Sequence, residues 1–281
     1  MSYKYSVMKA DEWLILATKN LASAGISTAR LDAMILLEDA TKLDRANLLA
    51  HPEQQLSTTQ SKFLAKCLAR RIQHEPLAYI RGHCEFFGRD FVINSDTLQP
   101  RPESETFINI LETLLVTNQS TTILDIGTGS GALAITASLE FGDCTVLATD
   151  ISTKALKVAR SNAKKLGAKV TFLNGNLLAP LSPNHFPIDI IMANLPYVPD
   201  QHIVNRAAMY EPKLAIYGGT DGLDIYRIFF QQIEILSKKP TVILTESMQS
   251  QHLALTNLAK AHGYDIKKSE GLVLYFRINQ T

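Results

Sequence analysis

A buried strand that runs directly into a glycine-rich turn is the feature that most constrains this chain. The stretch "TTILDIGTGSGALAITASLE", residues 121–140, has the pattern of a strand, a turn with Gly127, Gly129 and Gly131, and a helix. From about residue 107 onward, helical and strand patterns alternate, which is typical of a parallel sheet covered by helices on both faces. In such sheets, ligands bind beyond the carboxyl ends of the strands where strand order reverses. The sequence therefore predicts a doubly wound α/β domain with a ligand site at this turn.

Further strand-like segments support the same fold. They are "CTVLATD" (144–150), "KVTFLN" (169–174), "IDIIMAN" (188–194), "TVILTE" (241–246) and "GLVLYFRIN" (271–279). Ser152 is placed to cap a helix that Gly167 can end. We expect this sheet to lie in a domain that covers residues 107–281.

The chain before this domain has a different pattern. Apolar residues recur at helical spacing, and Gly25 separates two such stretches. Ser57 and Gln60 have capping-box spacing at the start of a third helix. We predict a helical domain over residues 1–75 and a β-hairpin linker over residues 76–106, in which Gly88 forms the turn of the hairpin.

Composition narrows the class of protein. The chain has 281 residues, 46% of them hydrophobic, and a net charge of +1, so it gives no broad basic surface for nucleic acid. The cysteines Cys67, Cys84 and Cys144 and the seven histidines lack the spacing of a metal site or a disulfide framework. We expect a cytoplasmic monomer with no metal and no membrane segment.

The acidic residues at two strand ends suggest what the turn binds. Asp150 ends the second strand and is placed to accept both hydroxyls of a ribose. The spacing alone does not identify the cofactor, because Gly127, Gly129 and Ala132 also fit the dinucleotide fingerprint. Asp125 has two interpretations: it contacts the ligand, or it accepts hydrogen bonds from the turn itself.

The tetrapeptide Asn194-Leu195-Pro196-Tyr197 follows the fourth strand and should enter the same crevice. An amide nitrogen is a poor nucleophile, so a site that alkylates it must hold its N–H groups with acceptors. The Asn194 side-chain oxygen and the Leu195 carbonyl are such acceptors. Pro196 restrains the residue before it, and Tyr197 offers a ring to a planar group. An ordinary turn at a strand end is the alternative.

Several motifs together resemble a known family. "LDIGTGSGALAI", "ATD" and "IIMANLPYVP" are similar to S-adenosylmethionine-dependent methyltransferases that carry an Asn-Pro-Pro-Tyr motif. "EFFGRDFVINSDTLQPRPESE" and "YEPKLAIYGGTDGLDIYR" narrow the resemblance to the protein-(glutamine-N5) methyltransferase family, over essentially the whole chain. The resemblance implies a Rossmann-like, seven-stranded methyltransferase sheet, S-adenosyl-L-methionine as cofactor, and the Gly-Gly-Gln glutamine of class 1 peptide chain release factors as substrate.

The resemblance also implies roles for particular residues. The cofactor would lie against Gly127, Thr128, Gly129, Ser130 and Gly131, with Asp150 on its ribose. Its adenine would lie near Asn176 and Leu177. Asn194, Leu195, Pro196 and Tyr197 would hold the glutamine amide, with Asn194 also near the cofactor. The helical domain would recognise the partner protein.

The chain departs from the family pattern at three places. Leu195 replaces the first proline, Ser247-Met248 follow Glu246 where Ile-Gly is usual, and the C-terminal segment is shortened. A catalytically silent binding module therefore stays open. Among enzymes, the alternatives are glutamine methylation of a ribosomal protein and adenine-N6 methylation of nucleic acid.

Other residues have less specific interpretations. Four residues in and before the hairpin could contact a partner protein, although aromatic residues in a hairpin more commonly belong to the core: Tyr79, Arg81, Phe86 and Phe87. Arg101 and Glu105, in the linker, are interpreted either as a hinge salt bridge or as ligand contacts.

Overall fold

The structure of the chain is a computed structural model. It describes residues 8–115, 121–181 and 187–279. The described residues form two compact units, one comprising 8–82 with Asn205–Tyr210 and the other the remainder. The α/β class and the seven-stranded sheet predicted from sequence are confirmed in the second unit, and the helical character of the N-terminal part is confirmed in the first.

Five α-helices lie among the described residues of the first unit. They are α1 (Ala10–Ser23), α2 (Ala29–Thr41), α3 (Arg45–Ala50), α4 (Thr58–Ile72) and α5 (Leu77–Arg81). Gly25 lies between α1 and α2 with a φ of 81°, a left-handed conformation that favours glycine. Ser57 and Gln60 form the predicted capping box of α4. A largely buried ion pair, Arg71 with Asp32 at 2.7 Å, joins α4 to α2.

The second unit begins with a hairpin and a short helical turn. Its strands and helices are β1 (His83–Phe86), β2 (Arg89–Val92), a 3-10 helix (Pro102–Glu105), α6 (Thr106–Leu114), β3 (Thr122–Ile126), α7 (Ala132–Glu140), β4 (Thr145–Asp150), α8 (Thr153–Leu166), β5 (Val170–Asn174), β6 (Ile190–Ala193), α9 (Asp224–Glu234), β7 (Val242–Glu246), α10 (His252–Ala261), β8 (Tyr264–Glu270) and β9 (Val273–Ile278).

The large sheet has the strand order β5-β4-β3-β6-β7-β9-β8. The strands from β5 to β7 are parallel, and their order reverses between β3 and β6. Every residue of β3, β6 and β7 is buried, as expected for strands with helices on both faces. Apolar clusters lie on the two faces of this sheet.

The far edge of the sheet differs from the parallel pattern that the sequence predicted. β9 pairs antiparallel with β7, and β8 pairs antiparallel with β9. β8 was not predicted, because its sequence "YDIKKSE" is mostly charged and exposed. A charged edge strand has one unpaired side, and such charges discourage pairing with another chain.

The hairpin packs into the core of the second unit. Phe86 and Phe91 are buried, with ring centroids 6.1 Å apart in an edge-to-face arrangement, and Phe87 packs against the same core. Phe86 is therefore a core residue. In the first unit, Tyr79 is also buried, and Arg81 forms an ion pair with Asp39.

Asn162 on α8 joins the hairpin to the glycine turn. Its Oδ1 accepts a hydrogen bond from the Val92 N–H at 2.8 Å, and its Nδ2 donates to the carbonyls of Val92 and Ser130, each at 2.9 Å. The side chain is fully buried. One side-chain amide thus binds three backbone groups, two in the hairpin and one in the glycine turn.

No helix among the described residues is long and apolar enough to cross a membrane. Across the same ranges, no group of three or more His, Cys, Asp or Glu side chains could hold a metal ion.

Replacing Asn162 with alanine should lower the free energy of unfolding by about 2 to 3 kcal/mol, because it removes the partner of three backbone groups. Urea denaturation measures the change. Lys157→Ala, at an exposed position on the same helix, is the control and should change stability by less than about 0.5 kcal/mol. Equal stability of the two variants would show that Asn162 does not stabilise the contact between the hairpin and the glycine turn.

Candidate active site

The strand-order reversal brings the predicted site residues to one edge of the sheet. Ile126 on β3 pairs with Ala193 on β6, so Gly127 and Asn194 leave the sheet side by side. Asp150, at the end of β4, lies on the other side of β3 and accepts a hydrogen bond from the Gly129 N–H at 2.9 Å. The glycine turn therefore lies between Asp150 at the end of β4 and Asn194 after the end of β6.

The glycine turn is open on one side and closed on the other. A Cβ at Gly131 would lie 2.8 Å from Ile135 and 3.1 Å from Ala159, so this glycine lets α7 approach α8 closely. A Cβ at Gly129 would meet no atom closer than 4.0 Å. The backbone at Gly129 is therefore accessible to a ligand, next to the N-terminal end of α7.

Asp150 shapes the turn and retains acceptor capacity. Its Oδ2 accepts from Gly129 and its Oδ1 accepts from the Ser152 N–H at 2.8 Å. Burial raises the pKa of Asp150, and these two N–H donors oppose that rise. Each carboxylate oxygen has a further lone pair, so both could still accept from ligand hydroxyls.

Asp125 bonds the turn, which was one of its two interpretations. Its Oδ2 accepts from the Thr128 hydroxyl at 2.6 Å and from the Ala134 N–H at 3.3 Å. The side chain is only 1% exposed, and burial raises its pKa to about 7. Asp125 also borders the pocket described next.

A pocket lies in front of the turn. It is lined by Phe86, Leu98, Gln99, Pro100, Arg101, Ser104, Asp125, Gly127, Thr128, Gly129, Ser130, Ala132, Leu133 and Asn194. The stretch before α6 thus forms one wall and the glycine turn the other. Leu177 and Asn176 do not line it: Leu177 packs into the core cluster with Ile126, and Asn176 is exposed.

The two linker residues singled out from sequence, Arg101 and Glu105, bind other residues of the second unit. The Arg101 guanidinium forms an ion pair with Glu211 at 2.6 Å, and the Glu211 side chain is 2% exposed. Glu105 accepts a hydrogen bond from the Phe87 N–H at 2.8 Å. Arg101 thus takes part in a salt bridge, one of its two interpretations, with Glu211 as the partner, whereas Glu105 accepts from a backbone N–H.

The orientation of the Asn194 amide is set by two oxygens. Its Nδ2 donates to the Ser104 hydroxyl at 3.0 Å and to Glu246 Oε2 at 3.1 Å. The amide nitrogen thus faces these two oxygens, and Oδ1 is the atom of the amide that remains to accept. Because Asn194 lines the pocket, this oxygen can accept a hydrogen bond from a molecule there.

The rest of the tetrapeptide is anchored in the protein. Leu195 as a whole is 2% exposed, and its side chain packs in the core, a role that was not predicted from sequence. The Tyr197 hydroxyl donates to Glu246 Oε1 at 3.0 Å, and the Tyr197 carbonyl accepts from Gln251 Nε2 at 2.8 Å. A Cβ at Gly222 would lie 2.1 Å from that carbonyl, so only glycine fits there.

Glu246 and Ser104 are the site residues that sequence analysis missed. Glu246 is 1% exposed and accepts from Ser104 at 2.6 Å, in addition to Asn194 and Tyr197. Burial raises the pKa of Glu246, and the three donors oppose that rise. The sequence did contain an indication of Glu246, because this acid ends an apolar strand in the same way that Asn194 follows one. Ser104 lies far away in the chain, in a segment without strand periodicity.

The raised pKa of Asp125 predicts a pH-dependent stability. Its carboxyl titrates near 7 in the folded chain and near 4 when unfolded, so its contribution to stability is complete below about pH 4 and is lost as pH rises through 7. Asp125→Asn keeps an oxygen for Thr128 and Ala134 but has no proton to lose. From pH 5 to pH 8, the unfolding free energy of the parent should therefore fall by about 3 kcal/mol relative to that of the variant.

Urea denaturation of both proteins at these two pH values measures this difference. A stability gap between variant and parent that does not change with pH would mean that Asp125 ionises normally in the folded chain.

Comparison with known proteins agrees with this architecture. The family model described as "PrmC N-terminal domain" matches residues 12–82, and one described as "Methyltransferase domain" matches residues 117–270. The crystal structure of a methyltransferase from Pyrococcus furiosus covers 76% of this chain and 98% of its own, with a TM-score of 0.51 and 18% identity, which shows the fold alone.

Closer relatives share most of the sequence length. The release factor glutamine methyltransferase of Moorella thermoacetica is 38% identical over 251 residues, covering 88% of each chain. The protein of the same name from Neisseria gonorrhoeae is 33% identical over 259 residues, covering 92% of this chain and 91% of its own. Similarity at this level over both units shows that the chain belongs to the release factor glutamine methyltransferase family.

Proposed function

We propose that this enzyme transfers a methyl group from S-adenosyl-L-methionine to the side-chain N5 of the glutamine in the Gly-Gly-Gln motif of a class 1 release factor. The observation that carries the proposal is the orientation of Asn194, whose Nδ2 is bound inside the protein and whose Oδ1 is left to accept. Glutamine N5 has two N–H groups and needs acceptors to orient it. The relatives named for glutamine methylation of release factors support the substrate.

The residues around the glycine turn fit the cofactor. Gly127 and Gly129 place no Cβ in front of the pocket, and Asp150 has free lone pairs for ribose hydroxyls. S-adenosyl-L-methionine supplies an electrophilic methyl group on a sulfonium, so the protein needs no metal and no nucleophile of its own. We assign Gly127 to Gly131 and Asp150 to this cofactor. Leu177 stays a proposal for the adenine end, which lies away from the pocket lining.

The chemistry assigned to the protein is positioning. Asn194 Oδ1 and the Leu195 carbonyl would accept the two N–H groups of the glutamine amide and direct its nitrogen lone pair toward the methyl group. The cofactor would supply the methyl group and leave as the neutral thioether S-adenosylhomocysteine, and the proton of the methylated nitrogen would pass to solvent. Pro196 and Tyr197 would limit the motion of this acceptor pair.

The domains divide the work in this proposal. Residues 1–75 would recognise the release factor, residues 76–106 would connect, and residues 107–281 would bind the cofactor and catalyse transfer. A monomer suffices, since the proposed acceptors all belong to one chain. A release factor substrate places the enzyme in the cytoplasm, where translation takes place.

Removing the acid at the end of β4 should weaken cofactor binding. Asp150→Ala should raise the dissociation constant for S-adenosyl-L-methionine by about 5- to 150-fold, the range for 1 to 3 kcal/mol of hydrogen bonding to a charged group. Asp150→Asn should have a smaller effect, because it keeps one acceptor oxygen. Calorimetric titration measures both constants, and an unchanged constant for Asp150→Ala would exclude this residue from the cofactor site.

Removing the proposed acceptor should stop transfer without abolishing cofactor binding. Asn194→Ala should lower the single-turnover rate of release factor methylation about 10²-fold or more and change cofactor affinity much less. Mass spectrometry of the proteolysed release factor measures one added methyl on the Gly-Gly-Gln glutamine. Thermal melts of variant and parent control for folding.

The same assay separates the other functions. Methyl transfer to a ribosomal protein or to adenine in RNA, with none to the release factor, would contradict the proposal. Failure of the parent protein to bind S-adenosyl-L-methionine would indicate a silent binding module instead.

A further inference from the structure

A single buried carboxylate contacts both polar side chains of the tetrapeptide 194–197. Glu246 Oε2 accepts from Asn194 Nδ2 at 3.1 Å, and Glu246 Oε1 accepts from the Tyr197 hydroxyl at 3.0 Å. Glu246 Oε2 also accepts from the Ser104 hydroxyl at 2.6 Å. These residues come from the end of β7, the end of β6 and the 3-10 helix before α6.

The chemical identity of this group fixes the direction of every hydrogen bond around it. An ionised carboxylate can only accept, whereas a serine hydroxyl can donate or accept. Since the Ser104 hydrogen points to Glu246, only a lone pair of Ser104 faces Asn194. A flipped Asn194 amide would place Oδ1 against two acceptors. Glu246 therefore excludes the flipped orientation, and Ser104 could not do so alone.

We infer that Glu246 is a positioning residue for methyl transfer: it orients the Asn194 amide so that Oδ1, not Nδ2, faces the pocket, and it holds the Tyr197 ring through its hydroxyl. The inference rests on the proposed function for its kinetic meaning. The hydrogen-bond arrangement itself is independent of the substrate.

A positioning role predicts graded effects of substitution. Glu246→Leu removes the carboxylate and leaves only the Ser104 hydroxyl, which can donate to a flipped amide as well as accept from the present one. Asn194 is then free to take either orientation, and the turnover number should fall about 10²-fold. Glu246→Gln keeps one acceptor oxygen, and the Tyr197 hydroxyl can rotate to accept from the new amide. This variant should retain at least about a tenth of the parent turnover number. The Michaelis constant for S-adenosyl-L-methionine should change less than about threefold in both.

The control lies one residue earlier on the same strand. Thr245 is fully buried and its hydroxyl has no hydrogen-bond partner among the described residues. Thr245→Val has the same shape, and should leave both turnover number and melting temperature close to those of the parent. It separates loss of the carboxylate from a general disturbance at the end of β7.

Two kinetic outcomes would overturn the inference. A Glu246→Leu enzyme that melts normally and turns over at the parent rate would show that the carboxylate has no role. Equal, near-complete loss in Glu246→Gln and Glu246→Leu would show that the negative charge itself is required, as for a base or an electrostatic partner of the sulfonium.

A second variant keeps the test decisive if Glu246→Leu does not fold. Ser104→Ala removes one acceptor of Asn194 Nδ2 and should lower the turnover number about 3- to 10-fold in the parent. In an Asn194→Ala background it should have no further effect, because Ser104 is inferred to act through Asn194. Additive losses in this double-mutant cycle would contradict the inference.

A readout without methylation distinguishes failure of this inference from failure of the proposed function. The side-chain amide hydrogens of Asn194, assigned in nitrogen-15 spectra by their absence in Asn194→Ala, should exchange slowly with solvent in the parent and at least about tenfold faster in Glu246→Leu, which lacks the carboxylate that accepts from them. If the parent methylates no glutamine but shows this difference, the function fails and the hydrogen-bond arrangement stands. Equal exchange in both proteins would overturn the inference.

Discussion

The pairing of β3 with β6 is the interaction on which the rest of the site depends. Its register sets Ile126 opposite Ala193, so the chain leaves the two strands together, at Gly127 on one and Asn194 on the other. β7 continues the pattern, because Thr245 pairs with Ala193 and Glu246 therefore emerges beside Asn194. A shift of one residue in either pairing would turn the side chains to the opposite face of the sheet. The register of three buried strands thus places the glycine turn, the amide and the carboxylate together.

The polar side chains at these strand ends form a network around the buried Glu246, in which Asn194 Oδ1 is left to accept from a ligand. Leaving a buried carboxylate without partners is costly, and Glu246 avoids this by accepting three hydrogen bonds. Networks of this kind favour one arrangement of their members, since any flip leaves a donor or acceptor unpaired. This explains why an enzyme whose proposed chemistry needs no general base nevertheless contains a buried acid at its site.

The features predicted from sequence are those with local signals. Gly25 between helices, the capping box of Ser57, and the helix bounded by Ser152 and Gly167 each depend on neighbouring residues, and each occurs in the structure. Six strands of the sheet were predicted from their apolar patterns, and the family resemblance implied a seventh. The charged edge strand β8 was not located in the sequence, because alternation is weak where both faces meet solvent.

The parts of the site that were not predicted depend on long-range contacts. Ser104 and Glu246 are separated by 142 positions, and nothing near Ser104 in the chain marks it as a partner of Asn194. The Leu195 side chain packs in the core, which was not predicted, although apolar character at a strand end also fits a core residue. Strand order and register decide which distant residues meet, and a single sequence does not specify them.

The central claim is that Asn194 presents an acceptor to the substrate amide because Glu246 holds its donor. Neutron diffraction from crystals of the enzyme with S-adenosylhomocysteine and a Gly-Gly-Gln peptide tests it most directly, since deuterium positions distinguish the two ends of an amide. The expected result is deuterium on Asn194 Nδ2 directed at Glu246 and Ser104, with Oδ1 about 3 Å from the glutamine side-chain nitrogen. Asn194 Nδ2 directed at the glutamine side-chain oxygen, or a glutamine bound away from Asn194, would contradict the claim.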